Sequence, residues 1–270
     1  MSLIISSNKV DFETLIGVET PEATATHMPI PHYSLVKMTR RAIENAGLEI
    51  VQEEHALARG GLRYFGGFAL TGKGIDGEDR QIVLGLRNSN DRSFAAAICI
   101  GNRMMVCENL DFSSDIKLAR RHTVNILADL PRVLADAVSR VVSHWNDMGN
   151  RIERYKTTAI TCEQAENLLV KLVDAKAIPP RDFYKSVLEF RAPRHEEFEG
   201  DHLWNLYNAV TENLKGSDLS KLPFRTMTVQ SIFDPIASHV PHIEVQEFVT
   251  AGCEDDAEPL DNGEVIDLRE

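Results

Sequence analysis

The stretch between residues 48 and 110 constrains the fold most, because it contains five short apolar segments separated by turn residues. The segments read LEIVQEEHAL, LRYFGGFALTG, RQIVLGLR, SFAAAICI and RMMVCENL. Segments of this length that are bounded by Gly, Asn and Asp are typical of antiparallel strands. We expect the pair Gly66–Gly67 to bend or bulge the second strand, because glycine inside a strand often marks such a site.

The last two segments predict a hairpin. Gly101–Asn102 stands between two apolar runs, and a two-residue loop of this composition is a frequent hairpin turn. The loop would pair Ile100 with Arg103, and RMMVCENL would form the returning strand. Because side chains alternate along a strand, Arg103, Cys107 and Asn109 would then share one face of the sheet.

Helical spacing of apolar residues begins after this sheet. The segments SSDIKLARRHTVNILADL (113–130) and PRVLADAVSRVVSHWNDMGNRIERYKTT (131–158) predict two helices, the second starting at Pro131. Further helices are expected from Ser34 to Gly47, after a Thr161–Gln164 capping box, and after an Asp201 cap. The order of elements predicts an α+β fold: an antiparallel sheet with a β-β-β-α-type core, packed by long helices, and a helical C-terminal half.

Four regions are predicted along the chain. Prolines 21, 29 and 31 indicate an extended N-terminal arm over residues 1–33, which precedes an α+β core over residues 34–160. Residues 161–253 are expected to form a mainly helical C-terminal part packed on that core. Residues 254–270 contain eight acidic residues and one basic residue, a net charge of −7 out of −12, and are predicted to be a disordered, mobile acidic tail.

Several function classes lack their sequence signatures here. The chain contains no long apolar window and no signal peptide, so we expect no membrane association. It contains no glycine-rich phosphate loop, no GxSxG and no HExxH motif. The histidine-rich segments RHEEFEGDH (194–202) and SHVPH (238–242) lack a recognised ligand spacing, and we interpret them as solvated loops. We therefore expect no catalytic residue, no cofactor and no metal.

A row of cationic residues is the main candidate for a binding site. Candidate nucleic-acid-binding residues around the predicted turn and the following helix are Arg87, Asn88, Arg92, Arg103, Asn109, Arg120, Arg121 and His122. Binding of a single strand needs a row of cationic groups together with aromatic side chains on which bases stack. Tyr64, Phe65 or Phe94 could supply the stacking. The alternative is that these residues are ordinary turn residues and a solvated helical face.

Three segments carry a family resemblance: RMMVCENL (103–110), RHTVNIL (121–127) and LWNLYNAVTENL (203–214). Together they resemble the phage- and plasmid-associated proteins known as domain of unknown function 932. The matching motif positions are Arg103, Cys107, Asn109, Arg121, His122, Thr123, Asn208, Ala209, Thr211 and Glu212. The resemblance implies an origin in a phage, plasmid or integrated element, and hence a cytoplasmic location in a bacterial host cell. It implies no reaction.

The order of strands and helix is also similar to the core of phage single-strand annealing proteins. We therefore expect a non-enzymatic nucleic-acid-associated protein that binds single-stranded DNA. One alternative is an enzyme or nucleotide-binding protein with a pocket around Cys107, His122 and Glu212. A second is a phage-encoded inhibitor of a host system. Two further interactions are considered: binding of a protein partner through the acidic tail, and assembly of the chain into a homo-oligomer.

Overall fold

The apolar segments form one antiparallel sheet in the computed structural model, which describes Leu3 and residues 8–105, 110–215, 217–218 and 221–238. Its six strands lie in sequence order, so each pairs with its neighbour along the chain. The strands are β1 (Lys9–Val10), β2 (Glu49–Ala58), β3 (Arg63–Thr71), β4 (Arg80–Ser89), β5 (Ala96–Met104) and β6 (Leu110–Arg120). The predicted fold class, α+β with an antiparallel sheet and a helical C-terminal half, is confirmed.

Eight helices lie in the described ranges. They are α1 (Phe12–Ile16), α2 (His32–Asn45), α3 (Ile126–Ser139), α4 (Val141–Thr157), α5 (Cys162–Asp174), α6 (Phe183–Arg191), α7 (Leu203–Leu214) and α8 (Leu222–Ser238). The Thr161–Gln164 capping box at the start of α5 is confirmed. Two other predicted starts are wrong: Ser34 lies inside α2, and Asp201 is not the cap of α7, which follows His202. The sequence analysis did not predict helix α8. None of the described helices is long and apolar enough to cross a membrane.

The predicted hairpin at Gly101–Asn102 is wrong, because β5 runs straight through both residues. Gly101 pairs with Val83 on β4 and with Phe112 on β6, and Arg103 pairs with Gln81 rather than with Ile100. Two neighbouring strands supply partners for the backbone groups of this segment, and this ladder outweighs the turn preference of Gly-Asn. Residues 106–109 of the predicted returning strand, including Cys107 and Asn109, lie outside the described residues.

The predicted helix over residues 113–130 is also wrong in its first half. Strand β6 continues to Arg120, which pairs with Ala96, and residues 121–125 form a connector before α3. Ile116 and Leu118 alternate with polar neighbours, so the segment fits the period of a strand as well as that of a helix. Pro131 lies inside α3, and the break between helices falls at Arg140.

Gly66 and Gly67 do not form the predicted bulge. They pair regularly with His55 and Glu54, and the register shift between β2 and β3 lies at the other end, between Ile50 and Gln52. The role of Gly66 is to leave space: a Cβ atom there would lie 2.0 Å from the hydroxyl oxygen of Tyr64.

The two faces of the sheet are covered differently. On one face, Phe68, Leu84 and Ile98 belong to a core that also contains residues of α2 and α3. On the other face, Leu3 packs with Ala56, Ala69 and Val83. Since side chains alternate along each strand, this second face also carries Phe65 and Arg87, which are paired across β3 and β4.

The helical C-terminal half has its own core, built from α4 to α8. Arg151 on α4 forms a two-point ion pair with Asp234 on α8, and the Tyr155 hydroxyl donates a hydrogen bond to the same carboxylate at 2.8 Å. Helix α8 also packs along β6. The described residues, up to Ser238, form one compact unit.

The structure describes most of the predicted N-terminal arm and none of the predicted acidic tail. Within the predicted N-terminal arm, α1 is helical, and Leu15 and Ile30 are buried. The predicted acidic tail, residues 254–270, lies outside the described residues.

Candidate functional site

A cleft of about 480 Å³ opens where the end of β4, the start of β5 and the connector after β6 meet. These three segments lie at the same end of the sheet, because adjacent strands of an antiparallel sheet run in opposite directions. Side chains that line the cleft include Thr26, His27, Arg92, Phe94, Arg121 and His122. Ala95 and Thr123 complete the lining, which contains two arginines and no acidic residue.

Arginine and phenylalanine side chains cluster beside the cleft. The rings of Phe65 and Phe94 have their centroids 5.6 Å apart, and both side chains are half-buried. The guanidinium carbons of Arg87 and Arg63 lie 5.0 Å and 5.8 Å from the centroid of Phe94. Burial lowers the pKa of Arg87, and its Nε is a buried donor with no acceptor in the described part of the chain. The cluster therefore combines flat apolar surface with cationic groups.

The turn between β4 and β5 is held by Asp91. Its carboxylate accepts hydrogen bonds from the hydroxyls of Ser89 and Ser93 and from Arg63 Nε at 2.7 Å. Burial opposes ionisation of this carboxyl, but those hydrogen bonds outweigh it and hold the pKa of Asp91 far below its ordinary value. The ordered turn places Arg92, in a left-handed conformation with φ of 65°, at the edge of the cleft. Its guanidinium is exposed, and Nη2 lies 3.4 Å from Thr24 Oγ1.

Buried hydrogen bonds around Asn88 support the back of the cleft. Its Oδ1 accepts from His122 Nε2 at 2.7 Å, and its Nδ2 donates to Ile30 O at 2.8 Å and to His32 Nδ1 at 2.9 Å. His32 Nε2 in turn donates to the carbonyl of Gly61 at 2.8 Å. Since a carbonyl can only accept and Asn88 Nδ2 can only donate, these contacts fix His32 as the neutral Nε2–H tautomer.

The buried position of the histidines disfavours their charged form. Burial lowers the pKa of His32. For His122, burial is the largest cause, and the nearby His27 and His32 add to it, so its pKa falls to about 4. At neutral pH His122 is therefore an uncharged donor to Asn88.

His27 packs against this network from the cleft side. Its ring centroid lies 5.1 Å from that of His122, and the peptide N–H of Met28 donates to the His122 carbonyl at 2.9 Å. His27 is only 8% exposed, and its Nε2 is buried without a hydrogen-bond partner among the described residues. A polar atom in this state is costly unless something else satisfies it.

The predicted binding residues separate into different places. Arg92, Arg121 and His122 line the cleft, and Arg87 lies beside it over the ring of Phe94. Asn88 is fully buried and hydrogen-bonded to His122. Arg120 lines a small gap with Leu35 and Leu86, which belong to the core on the α2 and α3 face. Tyr64 is also fully buried on that face, so it offers no stacking surface.

Arg103 lies at the opposite end of β5. Its Nη1 and Nη2 donate to Gln52 Oε1 at 3.0 Å and Gln81 Oε1 at 2.6 Å, and the residue is 4% exposed. The Arg103 side chain is therefore buried against β2 and β4, at the opposite end of β5 from the cleft.

The other family-motif residues divide between the cleft and the helical half. Thr123 lines the cleft. Asn208 and Thr211 are buried on α7 and hydrogen-bond to carbonyls of that helix. Glu212 forms ion pairs with Arg194 and Lys215. The side chains that line the cleft at His122 do not include Glu212, and Cys107, the third residue of the predicted pocket, lies outside the described ranges.

Sequence reasoning missed Thr26, His27 and Arg63. Arg63 stands two positions before Phe65, so strand alternation could have placed both on one face. His27 has no such local signal. In the described part of the chain, no group of three or more His, Cys, Asp or Glu side chains is arranged to hold a metal ion.

Fold and site together define an α+β protein with a cationic cleft, lined in part by aromatic surface, at one end of an antiparallel sheet. A family model described as a domain of unknown function (DUF932) matches residues 24–231, and the chain belongs to this family. The matched range contains every residue named in the cleft. No curated protein and no solved structure matches the chain.

Proposed function

We propose that this chain is a non-enzymatic nucleic-acid-binding protein of a phage, plasmid or integrated element, and that it binds single-stranded DNA at the cleft. The association with a mobile element rests on the family resemblance alone. The proposal of strand binding rests on one observation: exposed Arg92 and Arg121 stand beside Phe94, whose ring packs against Phe65 and two further arginines.

Charge supports the proposal locally, although the chain as a whole is acidic. A nucleic-acid backbone is bound by cationic side chains, which release counterions from the phosphates. The cleft lining presents Arg92 and Arg121 without an acidic side chain. Asp91 is the nearest carboxylate of the turn, and it is already paired with Arg63. The local charge at the cleft therefore favours an anion, although the chain as a whole carries a net charge of −12.

The aromatic surface favours a single strand over a duplex. Stacking on a side chain requires a base with a free face, and the bases inside a duplex already stack on each other. Phe94 lines the cleft and Phe65 packs against it, so an unpaired base could lie on this surface while its phosphate contacts an arginine. Binding of this kind does not depend on the base sequence, so it needs no hydrogen bonds to the edges of the bases.

The test is a fluorescence-anisotropy titration with labelled single-stranded and duplex oligonucleotides over a series of salt concentrations. We expect tighter binding of the single strand. Arg92→Ala and Arg121→Ala should each weaken it and lower the slope of log K against log salt by about 0.7. Arg154→Ala removes an exposed arginine on α4 and serves as the control.

Two results would overturn the proposal. One is the absence of binding to any oligonucleotide at low salt. The other is an equal loss of affinity in Arg154→Ala, which would mean that the arginines contribute only through the net charge of the protein.

A further inference from the structure

We infer that the cleft is a subsite for one nucleotide, with the base against Phe94, the phosphate between Arg92 and Arg121, and a polar atom of the nucleotide hydrogen-bonded to His27 Nε2. This inference rests on the proposed strand binding and adds what the site recognises. It distinguishes a cleft that receives one nucleotide from a surface along which a strand only lies.

The dimensions of the cleft suit this ligand. Its volume of about 480 Å³ falls in the range of about 300–1,000 Å³ found for small-molecule sites. The gap that Arg120 lines with Leu35 and Leu86 has a volume of only about 10 Å³, too small for such a ligand.

The lining divides into two chemical parts. Phe94 and Ala95 form an apolar wall, whereas Arg92 and Arg121 carry charge and Thr26 and Thr123 carry hydroxyls. A phosphate ion alone would leave the apolar wall without a partner, and a nucleoside alone would leave the arginines without one. A nucleoside monophosphate matches both parts.

The buried Nε2 of His27 is an independent indication that the cleft binds a ligand. His27 lines the cleft, it is 8% exposed, and its Nε2 is closed off from solvent without a hydrogen-bond partner among the residues that the structure describes. A turn of the ring would present this atom to a ligand in the cleft. A buried polar atom usually finds a partner in protein, water or ligand. A histidine nitrogen can donate or accept, according to the tautomer, so it can bond to a base edge or to a sugar hydroxyl.

The backbone of His27 is held in place before any ligand binds, so that only the ring has to turn. Thr24 and His27 exchange two backbone hydrogen bonds, of 2.9 and 3.4 Å, and the His27 ring packs on His122. His122 is held in turn by Asn88. A group that is held in place loses little conformational freedom on binding, which favours affinity.

The inference is tested by competition. A labelled single-stranded oligonucleotide is bound to the full chain and then displaced with deoxyadenosine monophosphate, deoxyadenosine or inorganic phosphate. We expect the monophosphate to compete roughly tenfold better than either of the other two. His27→Ala should weaken the monophosphate about fivefold, and His27→Gln, which keeps a hydrogen-bonding group, should restore part of the loss.

Two further variants keep the result interpretable. Arg92→Gln changes an exposed side chain, so it reports on the subsite even where His27→Ala fails to fold; it should weaken the monophosphate but not the nucleoside. His202→Ala removes an exposed histidine of the helical half and should change nothing at the cleft.

Each failure has its own signature. If inorganic phosphate competes as well as the monophosphate, the cleft is an anion site and the inference is overturned. If the oligonucleotide binds but millimolar monophosphate never displaces it, the subsite is overturned while strand binding stands. If direct titration shows monophosphate binding and no oligonucleotide binds, it is the proposed strand binding that fails.

Discussion

The Nε2 of His122 lies 2.7 Å from the Oδ1 of Asn88, so the connector after β6 is tied to a buried side chain of β4. The same amide reaches Ile30 and His32 in the N-terminal segment. One asparagine thus joins three separate parts of the chain behind the cleft.

Replacement of Asn88 by alanine should destabilise the protein strongly. The change leaves His122 Nε2 and His32 Nδ1 buried without their partner, whereas the Ile30 carbonyl keeps a hydrogen bond from Asn90 Nδ2 at 3.1 Å. Because an unsatisfied buried group costs about 1–3 kcal/mol, we expect the free energy of unfolding to fall by about 3 kcal/mol. Urea unfolding followed by circular dichroism measures the change.

The matched control for Asn88→Ala is Asn125→Ala, in the same connector as His122. The Asn125 side chain is exposed and makes no capping hydrogen bond, so its loss should have little effect. Equal destabilisation by the two substitutions would show that the buried network contributes nothing specific.

The free energy of unfolding should depend on pH through His122. Its pKa is lowered from the ordinary 6.5 to about 4, so between these values the unfolded chain binds a proton that the folded protein does not. The stabilisation is complete above pH 6.5 and is lost as the pH falls towards 4, a change of about 3 kcal/mol.

His122→Gln isolates this contribution, because glutamine keeps a donor for Asn88 but does not titrate. Between about pH 7 and about pH 4.5, we expect this variant to lose less stability than the parent protein in urea titrations. Parallel curves for the two proteins would mean that His122 titrates alike in both states.

Phe94→Ala should weaken single-strand binding. Stacking of a base on an aromatic side chain contributes about 1–3 kcal/mol, so we expect affinity to fall by about tenfold or more. Phe224→Ala, on the exposed surface of α8, is the control, since Phe224 is 56% exposed and lies outside the cleft. If anisotropy titrations give the two variants the same affinity, Phe94 does not stack on a base.

Arg103→Met should reduce stability but leave oligonucleotide affinity unchanged. The substitution keeps the apolar stem and removes the donors to Gln52 and Gln81, which we expect to cost about 2 kcal/mol. A buried guanidinium at the far end of β5 cannot reach a phosphate in the cleft. A loss of affinity as large as that of Arg121→Ala would extend the binding surface along the strand.

Gly66→Ala should be poorly tolerated, although it adds one methyl group. The new Cβ would lie 2.0 Å from the Tyr64 hydroxyl oxygen, which is also 3.0 Å from His55 Nδ1. We expect a loss of about 2 kcal/mol or more, measured as a lower urea midpoint. At Gly17, with a helical φ of −77°, the nearest atom to a new Cβ is 3.6 Å away, so Gly17→Ala is the harmless comparison.

Local patterns were enough for much of the fold. The short apolar segments of β2, β3 and β4, bounded by turn residues, and the capping box at Thr161 are short-range signals, and the structure follows them. The Gly101–Asn102 error shows the limit of such signals. A preference for a turn acts over a few residues, whereas the pairing of β5 with β4 and β6 supplies hydrogen bonds along the whole strand.

The cleft was predictable only in part. Arg87, Arg92, Arg121 and His122 stood out as polar residues at the ends of apolar segments. His27 did not, because its place depends on contacts between distant segments: Ile30 N binds Asn90 Oδ1 across sixty positions of sequence. Nothing within a window of ten residues around His27 encodes that contact.

The sequence-ordered sheet has a consequence for how the protein is made. From β2 to β6, each strand finds its partner in the next segment of the chain, so pairing of these five strands requires only short loop closures and can proceed as the segments appear. The cleft can form only later. The segment around His27 contacts the β4–β5 turn and the connector at His122, and both of these follow it in the chain. We therefore expect the sheet to be complete before the site exists, and a chain stopped before the connector to build most of the strands without the cleft.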